Sequence, residues 1–240
     1  MSTIVKYTLS ESIATIQLDD GNKNVISPAM IAELNAAFDR AAKENAIVIL
    51  TGRDNLLSAG FDLKTMRKGG GAAINMLLGG FKLLRKLLAH PTPIIVACNG
   101  HAIAMGCFIL QVGDYRIGRR GEFKIAANEV AIGMTVPHSI YPIVRDRLKP
   151  ACFNRSMLLA ENFSPESAHD AGLLDELAET ESLMVRALAK AEEYKALDLS
   201  AHKATKLRAR KKLLRQVSVG IFKDRLDIIL MGLKAARKKK

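Results

Sequence analysis

The sequence PIIVACNGHAIAMGCF occupies residues 93–108, and this stretch decides the fold. Its apolar run at 94–97 has the length of a strand that is buried on both faces, and Asn99-Gly100 ends the run. The small and apolar residues 102–110 then predict a buried helix. A helix that opens straight off a buried strand directs unpaired N–H groups and the positive end of its dipole at whatever lies before it. The stretch therefore predicts an oxyanion-binding device, although such segments also occur where they only pack.

The residues before this stretch predict a strand, a helix and a second strand. Residues 12–18 and 46–50 have the pattern of strands, and Ser27-Pro28 has that of an N-cap followed by proline at the first helical position. The helix that follows carries one apolar face, formed by Ile31, Leu34, Ala37, Phe38 and Ala41. This order predicts an α/β fold with a right-handed crossover and helices that cover the sheet.

Composition limits the class of protein. The chain has 240 residues, of which 49% are hydrophobic, and this suffices for one large core or one core and an appendage. We expect a cytoplasmic protein without a membrane segment, because we find neither the ~20-residue apolar run of a span nor a signal-peptide pattern. Cys98, Cys107 and Cys152 lie in apolar surroundings without metal-ligand spacing, so we expect reduced thiols and neither a disulfide nor a metal site.

The net charge of +12 leaves two interpretations of the basic C-terminal region. One is an acidic partner, such as nucleic acid, an anionic membrane or a phosphorylated small molecule, and the other is a solvated helix face with a frayed tail. Seven basic residues lie close together: Lys203, Lys206, Arg208, Arg210, Lys211, Lys212 and Arg215. Because aromatic residues are not interleaved with these charges, we expect no nucleic-acid partner.

A second loop, in the stretch LLSAGFDLKTM at 56–66, is suited to close approach of a ligand. Ser58-Ala59-Gly60 are small, and the glycine permits a tight turn that leaves the N–H of Phe61 unpaired. A plain surface turn is the alternative. Gly69-Gly70-Gly71 precedes a predicted helix that runs to about His90 and lacks the lysine and hydroxyl of a phosphate-binding loop, so we interpret it as a mobile lid or a linker.

Three segments together resemble the crotonase (enoyl-CoA hydratase/isomerase) superfamily. They are LSAGFDL at 57–63, CNGHAIAMGC at 98–107 and NEVAIGMTVP at 128–137. FSPESAHDAGLLDEL at 163–177 also resembles the helix that follows this family's core, with a Ser164 cap, Pro165 and a closing Gly172. The resemblance covers essentially the whole chain.

The resemblance implies a fold and an assembly. The expected fold is the ClpP-like spiral of ββα units, with a core domain at 1–190 and a C-terminal helical region at 191–240 that packs in trimers. A homotrimer or a hexamer is therefore expected. The expected ligand is an acyl-CoA thioester, in which coenzyme A is part of the substrate, so that no separate cofactor is needed.

The resemblance also assigns roles to residues. The two N–H groups that hold the thioester oxygen fall on Phe61 and Met105, where methionine replaces the family's usual glycine. Hydratases of this family use two glutamates, because water addition needs one group to activate water and another to deliver a proton. The first would fall at Phe108, and the second matches Glu129. One carboxylate in an apolar pocket still suffices to move a proton between two carbons.

This pattern is closest to the Δ3,Δ2-enoyl-CoA isomerase branch, in which Glu129 would act first as base and then as acid. Its burial beside Phe108 should raise its pKa. His101 and His138 are rival acid/base candidates, although such histidines more often satisfy backbone groups. A hydratase remains the alternative enzyme, with water placed by another group such as His138. A binding protein for RNA or acyl-CoA is the third hypothesis.

The coenzyme A contacts are also implied by the resemblance. Ser58, Ala59, Gly60 and Leu63 would line the path of the adenine and pantetheine groups, and Arg53 and Lys64 flank that loop near the expected phosphates. Lys234 of a neighbouring subunit's C-terminal helix is a further candidate.

Overall fold

Two sheets form the centre of the molecule. The structure is a computed structural model that describes residues 3–237 and the side chains of residues 3–230. Within this range a six-stranded sheet has the order β1-β2-β3-β5-β7-β9 and a three-stranded sheet has the order β4-β6-β8. The strands are β1 (Val5–Ser10), β2 (Ile13–Leu18), β3 (Ile47–Thr51), β4 (Leu56–Ser58), β5 (Ile94–Cys98), β6 (His101–Ile103), β7 (Tyr115–Arg119), β8 (Ile125–Ala126) and β9 (Glu176–Ala178).

Helices connect the strands and form most of the C-terminal third of the chain. They are α1 (Pro28–Lys43), α2 (Leu63–Lys68), α3 (Gly70–Leu88), α4 (Met105–Val112), α5 (Tyr141–Arg147), α6 (Pro150–Leu159), α7 (Pro165–Ala171), α8 (Leu183–Lys195), α9 (Leu199–Ala209) and α10 (Lys211–Arg237). Short 3-10 turns lie at Val130–Ile132 and Thr180–Ser182. None of the helices formed by the described residues is long and apolar enough to cross a membrane.

Consecutive strands alternate between the two sheets. Strands β3, β5 and β7 join the large sheet, whereas β4, β6 and β8, which follow them in turn, join the small one. Helices α2 and α3 follow the first of these strand pairs, and α4 follows the second. This alternation confirms the expected spiral of ββα units. The division at residue 190 stays a prediction.

The central strands of the large sheet are buried on both faces, as the sequence predicted for 94–97. Strand β3 pairs parallel with β5, and every residue of both strands is buried. Val48 and Val96 face the main core on the side of α1, α3 and α4, whereas Ile49 and Ile95 face a second cluster under α8. Helices therefore cover both faces of the sheet.

Local signals at two helix starts are confirmed. The hydroxyl of Ser27 accepts the N–H of Met30 at 3.1 Å at the start of α1, and that of Ser164 accepts the N–H of Ser167 at 3.2 Å at the start of α7. Gly172 ends α7 in the left-handed conformation, with φ of 89°. Each contact satisfies backbone groups that a helix end leaves unpaired.

Two predictions were wrong in detail. The helix predicted over 102–110 begins only at Met105, because His101–Ile103 forms β6 and pairs with β4 on one side and β8 on the other. The first strand is also not 12–18, since β1 precedes it and pairs antiparallel with β2. Glu11 and Ser12 form the connecting turn with φ of 46° and 65°, values that Gly or Asn usually supplies.

The triple glycine separates two helices. Gly69 has φ of 65° and follows α2, and Gly70 and Gly71 are the first residues of α3. This arrangement places the segment as a junction within the helical layer. Its predicted mobility as a lid stays a prediction.

Two of the seven clustered basic residues are largely buried. Lys206 is 7% exposed, and its Nζ lies 2.6 Å from Oδ2 of Asp114. Nη2 of Arg210 lies 2.9 Å from Oδ1 of the same carboxylate, which also accepts the N–H of Ile94 at 2.8 Å. Burial opposes the ionisation of Asp114, but the two cations hold its pKa below its usual value. This part of the basic region thus anchors α9 to the sheet.

We expect the substitution Asp114→Asn to destabilise the protein by about 3 to 5 kcal/mol, because it leaves two buried cations without their carboxylate. Urea unfolding followed by circular dichroism measures this change. The matched control is Asp39→Asn, which breaks the ion pair of the exposed Asp39 with Lys86 and should cost about 1 kcal/mol or less. Equal losses in the two variants would contradict the anchoring role.

Candidate active site

Glu129 lies in a tight turn that fixes its backbone. It follows β8 and precedes the 3-10 turn Val130–Ile132, which ends at Gly133 with φ of 76°. The carbonyl of Glu129 accepts the N–H of Ile132 at 3.1 Å and that of Met134 at 2.8 Å. The glycine in the motif NEVAIG is therefore needed because the chain turns there in the left-handed region.

The carboxyl group of Glu129 is buried and has no charged partner among the described residues. Glu129 is 6% exposed, and its Oε2 has no hydrogen-bond partner within that part of the chain. Burial raises the pKa of Glu129 to about 7, and a hydrogen bond from its own backbone N–H opposes the shift only partly. The group is thus balanced between its acid and base forms near neutral pH, as the sequence predicted in direction.

The thiol of Cys107 belongs to the same apolar surroundings. Burial raises the pKa of Cys107, and the nearby Glu129 carboxylate raises it further. Ala104, the residue before α4, donates its N–H to the carbonyl of Ala126 at 2.8 Å, so the segment that leads to Glu129 lies beside the start of that helix.

The loop at 58–61 presents the first candidate donor. Ile26 donates its N–H to the carbonyl of Gly60 at 2.8 Å and accepts the N–H of Asp62 at 3.4 Å. In this parallel bridge the N–H of Phe61 points away from Ile26, and it has no acceptor among the described residues. The hydroxyl of Ser58 accepts the N–H of Gly60 at 3.2 Å and holds the loop.

Met105 presents the second candidate donor at the start of α4. Ala104 precedes it with φ of 51° and ψ of −121°, a conformation that residues other than glycine rarely adopt. No side chain caps this helix, so the N–H groups of its first turn, including that of Met105, have no capping partner within the described residues. The positive end of the helix dipole adds to their attraction for an oxyanion.

The two loops are in direct contact. A Cβ atom on Gly60 would lie 2.9 Å from Cβ of Ala104 and 3.5 Å from the backbone nitrogen of Met105. A Cβ atom on Gly106 would lie 2.4 Å from the carbonyl oxygen of Ser58. Both positions need glycine because the backbones approach so closely. The structure thereby brings the N–H groups of Phe61 and Met105 into one small region.

Phe108 occupies the position at which the resemblance places the first glutamate of the hydratases. It is 2% exposed, belongs to the main core and donates its N–H to the carbonyl of Ala104 at 3.1 Å. The site therefore combines two backbone donors and one buried carboxyl group, with an aromatic ring in place of the second carboxylate. Such a set stabilises an enolate and transfers a proton.

The two rival histidines have partners of their own. His101 accepts the N–H of Lys124 at Nδ1 and packs edge-on against Phe123, with the ring centroids 5.6 Å apart. Nε2 of His138 lies 3.2 Å from Oδ2 of Asp227 of α10. His138 lines a cleft of about 800 Å³ between α5 and α10, and neither Glu129 nor the two donor residues line that cleft.

The predicted coenzyme A residues differ in exposure. Leu63 is 56% exposed, Ala59 is half-buried, and Ser58 and Gly60 are buried within the loop. Arg53 is paired with Asp19 and Asp54, and Lys64 is exposed beside Leu63. The side chain of Lys234 lies outside the described residues. These assignments stay predictions, and Leu63 and Lys64 are the ones that the fold leaves accessible at the surface.

The sequence analysis missed the contribution of two residues, Asn24 and Ala104, to the site. Asn24 is fully buried, and its Nδ2 lies within 3.0 to 3.3 Å of the carbonyl oxygens of Leu18, Leu56 and Leu57, so it holds β4 in place. Oδ1 of Asn128 is buried without a partner among the described residues. An asparagine within a turn-rich segment was a signal for the first, whereas the strain at Ala104 left no signal in the sequence.

Comparisons with known proteins find a matching family model and similar solved structures. The family model described as enoyl-CoA hydratase/isomerase matches residues 8–222. A solved enoyl-CoA hydratase/isomerase family protein from Pseudomonas syringae is 48% identical, with a TM-score of 0.92 and coverage of 94% of this chain and 98% of that one. A structure of a Mycobacterium tuberculosis protein that is named an enoyl-CoA isomerase is 44% identical, with a TM-score of 0.88 and coverage of 92% and 97%. Another structure of the same protein is named a probable enoyl-CoA hydratase.

A curated relative also has an isomerase name. Enoyl-CoA delta isomerase 3 of Arabidopsis thaliana is 30% identical over 159 residues, which are 63% of this chain and 67% of the relative. Among the solved structures, a protein from Mycobacterium marinum that is 41% identical is named an enoyl-CoA hydratase. The names of the relatives therefore include both activities.

Proposed function

Because this chain belongs to the enoyl-CoA hydratase/isomerase family, we propose that it is an isomerase that converts 3-enoyl-CoA to 2-trans-enoyl-CoA in fatty acid β-oxidation. The observation that carries this proposal is the buried carboxyl group of Glu129, whose Oε2 has no partner among the described residues, with Phe108 in place of a second carboxylate. The substrate is an acyl-CoA thioester, and the reaction needs no separate cofactor because the chain's own groups can carry the proton.

The proposed mechanism is a proton transfer through one residue. The carboxylate of Glu129 removes a proton from C2, and the electron pair of that bond forms a thioester enolate. The N–H groups of Phe61 and Met105 hold the enolate oxygen. One such donor stabilises the transition state by about 2.7 to 4 kcal/mol. Protonated Glu129 then delivers the proton to C4 while the double bond moves from C3–C4 to C2–C3.

Hydration would need a second polar group beside the double bond, because water must be deprotonated while C2 is protonated. Position 108 offers an aromatic ring, and His138 is engaged with Asp227. Two rates test the choice between isomerase and hydratase. One is the turnover of 3-hexenoyl-CoA, followed as formation of the conjugated thioester, and the other is the hydration of crotonyl-CoA. We expect isomerisation to exceed hydration, and the reverse order would identify a hydratase. Failure on both substrates would favour a binding protein.

The activity should depend on pH through Glu129. The carboxyl group must be ionised to take the first proton, so we expect kcat/KM for 3-hexenoyl-CoA to rise with pH and level off above its pKa of about 7. Steady-state rates between pH 5 and 9 measure the profile. A profile that is flat across pH 6 to 8, or that falls as pH rises through 7, would contradict the assignment of Glu129 as base.

We also propose a homotrimer or a hexamer. The support in the structure is a stripe of exposed apolar residues at helical spacing on α10, formed by Val219, Phe222, Leu226, Ile229 and Leu230. Apolar side chains repeated on one helix face usually mark a surface that another chain covers. The mass in solution, measured by light scattering, tests this assembly.

A further inference from the structure

The side chains of the two proposed donors meet at one glycine of α3. A Cβ atom on Gly80 would lie 2.6 Å from Cε1 and Cζ of Phe61 and 3.2 Å from Cε of Met105. Both side chains therefore reach from the two donor loops to the middle of α3. Any larger residue at position 80 would displace the end of the Phe61 ring.

The space between the donor loops and α3 is filled. Phe61 packs edge-on against Phe81, with the ring centroids 5.9 Å apart and an angle of 82° between the rings. Met105 is fully buried, Phe81 is 2% exposed, and Phe61 is half-buried. These side chains form an apolar wall on this side of the site, and a smaller residue at position 61 or 105 would leave space beside Gly80.

This wall adjoins the position of the acyl group. The backbone nitrogen and Cβ of one residue are about 2.5 Å apart, so a carbonyl held by the N–H groups of Phe61 and Met105 must lie beside their side chains. In the proposed mechanism, C2 to C4 lie between these donors and Glu129. The rest of the acyl chain, beyond C4, therefore starts next to the wall.

We infer that Phe61 and Met105, packed against Gly80, determine the acyl chain length and that the site takes short 3-enoyl thioesters of about six carbons over those of about ten or more. This inference rests on the proposed function, because the proposed reaction places the acyl group beside the wall. In this site the side chains of the two donor residues fill space that would be empty in a site with an open acyl channel.

The test compares two chain lengths in binding and in turnover. Calorimetry gives the affinities for hexanoyl-CoA and decanoyl-CoA, and kcat/KM is measured on the corresponding 3-enoyl thioesters. We expect the wild type to bind hexanoyl-CoA at least as tightly as decanoyl-CoA. Phe61→Ala and Met105→Ala should each shift the affinity ratio about tenfold or more toward decanoyl-CoA, because they open the wall.

The matched control is Phe153→Ala. Phe153 is buried on α6 against Tyr141 and Arg145, so this variant removes the same side chain away from the wall and should leave the ratio unchanged. Tighter wild-type binding of decanoyl-CoA would overturn the inference, as would a ratio that moves no further in the two wall variants than in the control. The saturated thioesters bind without being converted, so the binding ratio tests the wall even in the absence of isomerase activity. An absence of that activity would overturn the proposed function.

Discussion

The substitution Glu129→Gln should abolish most of the isomerase activity and at the same time stabilise the protein at alkaline pH. Activity should fall by about 10³ to 10⁴, because the same carboxyl group takes the proton from C2 and returns it at C4. The amide is nearly the same size, so the fold and the binding of acyl-CoA should persist. Rates on 3-hexenoyl-CoA and calorimetric binding of hexanoyl-CoA, measured side by side, separate the two properties.

The gain in stability follows from the pKa of Glu129, which burial raises from 4.5 to about 7. Between these values the folded state holds a proton that the unfolded state releases, so the free energy of unfolding falls as pH rises. The loss reaches about 3 kcal/mol above pH 7 and is absent below about 4.5. A glutamine side chain cannot ionise, so the variant should unfold at higher urea concentration than the wild type at pH 8 and at a similar one at pH 4.5.

Two results would contradict this account of Glu129. Retention of more than about a tenth of the wild-type rate by Glu129→Gln would mean that another group moves the proton. An equal effect of the substitution on stability at pH 4.5 and pH 8 would mean that the carboxyl group is not held in its raised-pKa environment.

The substitution Gly60→Ala should lower kcat/KM for 3-hexenoyl-CoA by about 10² to 10³, the loss expected when one oxyanion donor is misplaced. Gly60 has φ of 94°, and its added Cβ would lie 2.9 Å from Cβ of Ala104 and 3.2 Å from the carbonyl oxygen of Ile103. The two donor loops must therefore move apart. Steady-state kinetics, with circular dichroism to verify folding, measures the effect.

Gly71→Ala is the control for this substitution. Gly71 lies at the start of α3, and a Cβ atom there would meet nothing within 4 Å. The control adds the same methyl group at a glycine without close neighbours and should retain nearly full activity, since alanine is favoured in a helix. Similar rates for the two glycine variants would show that the close contact at Gly60 does not position the donors.

The fold was largely predictable because its central elements have strong patterns. The run at 94–97 is apolar without interruption, and it became a strand with helices on both faces. Ser27 and Ser164 predicted the starts of α1 and α7, because serine is a favoured N-cap residue. Strand β6 was missed because three residues in a small-residue run carry no period, and β1 was missed because its turn at Glu11 and Ser12 lacks the usual turn residues.

The candidate site residues were predicted from motifs, and their roles stay predictions. Glu129, Phe61 and Met105 came from three segments matched together, and the structure places the two donor loops in contact. The wall at Gly80 was not predictable, because a glycine in an apolar helix does not reveal which distant side chains fill its space. The role of Lys206 was hidden for the same reason, since its partner Asp114 is 92 residues away in the sequence.

The most direct test of the central claim, that one carboxyl group carries the proton from C2 to C4, is an isotope-transfer measurement. A 3-hexenoyl-CoA that is deuterated at C2 is converted in a single turnover in ordinary water, and mass spectrometry locates the label in the product. Because Glu129 is 6% exposed, we predict that a substantial share of the deuterium transferred from C2 appears at C4. Complete loss of that deuterium to water, with only solvent hydrogen delivered to C4, would contradict the account.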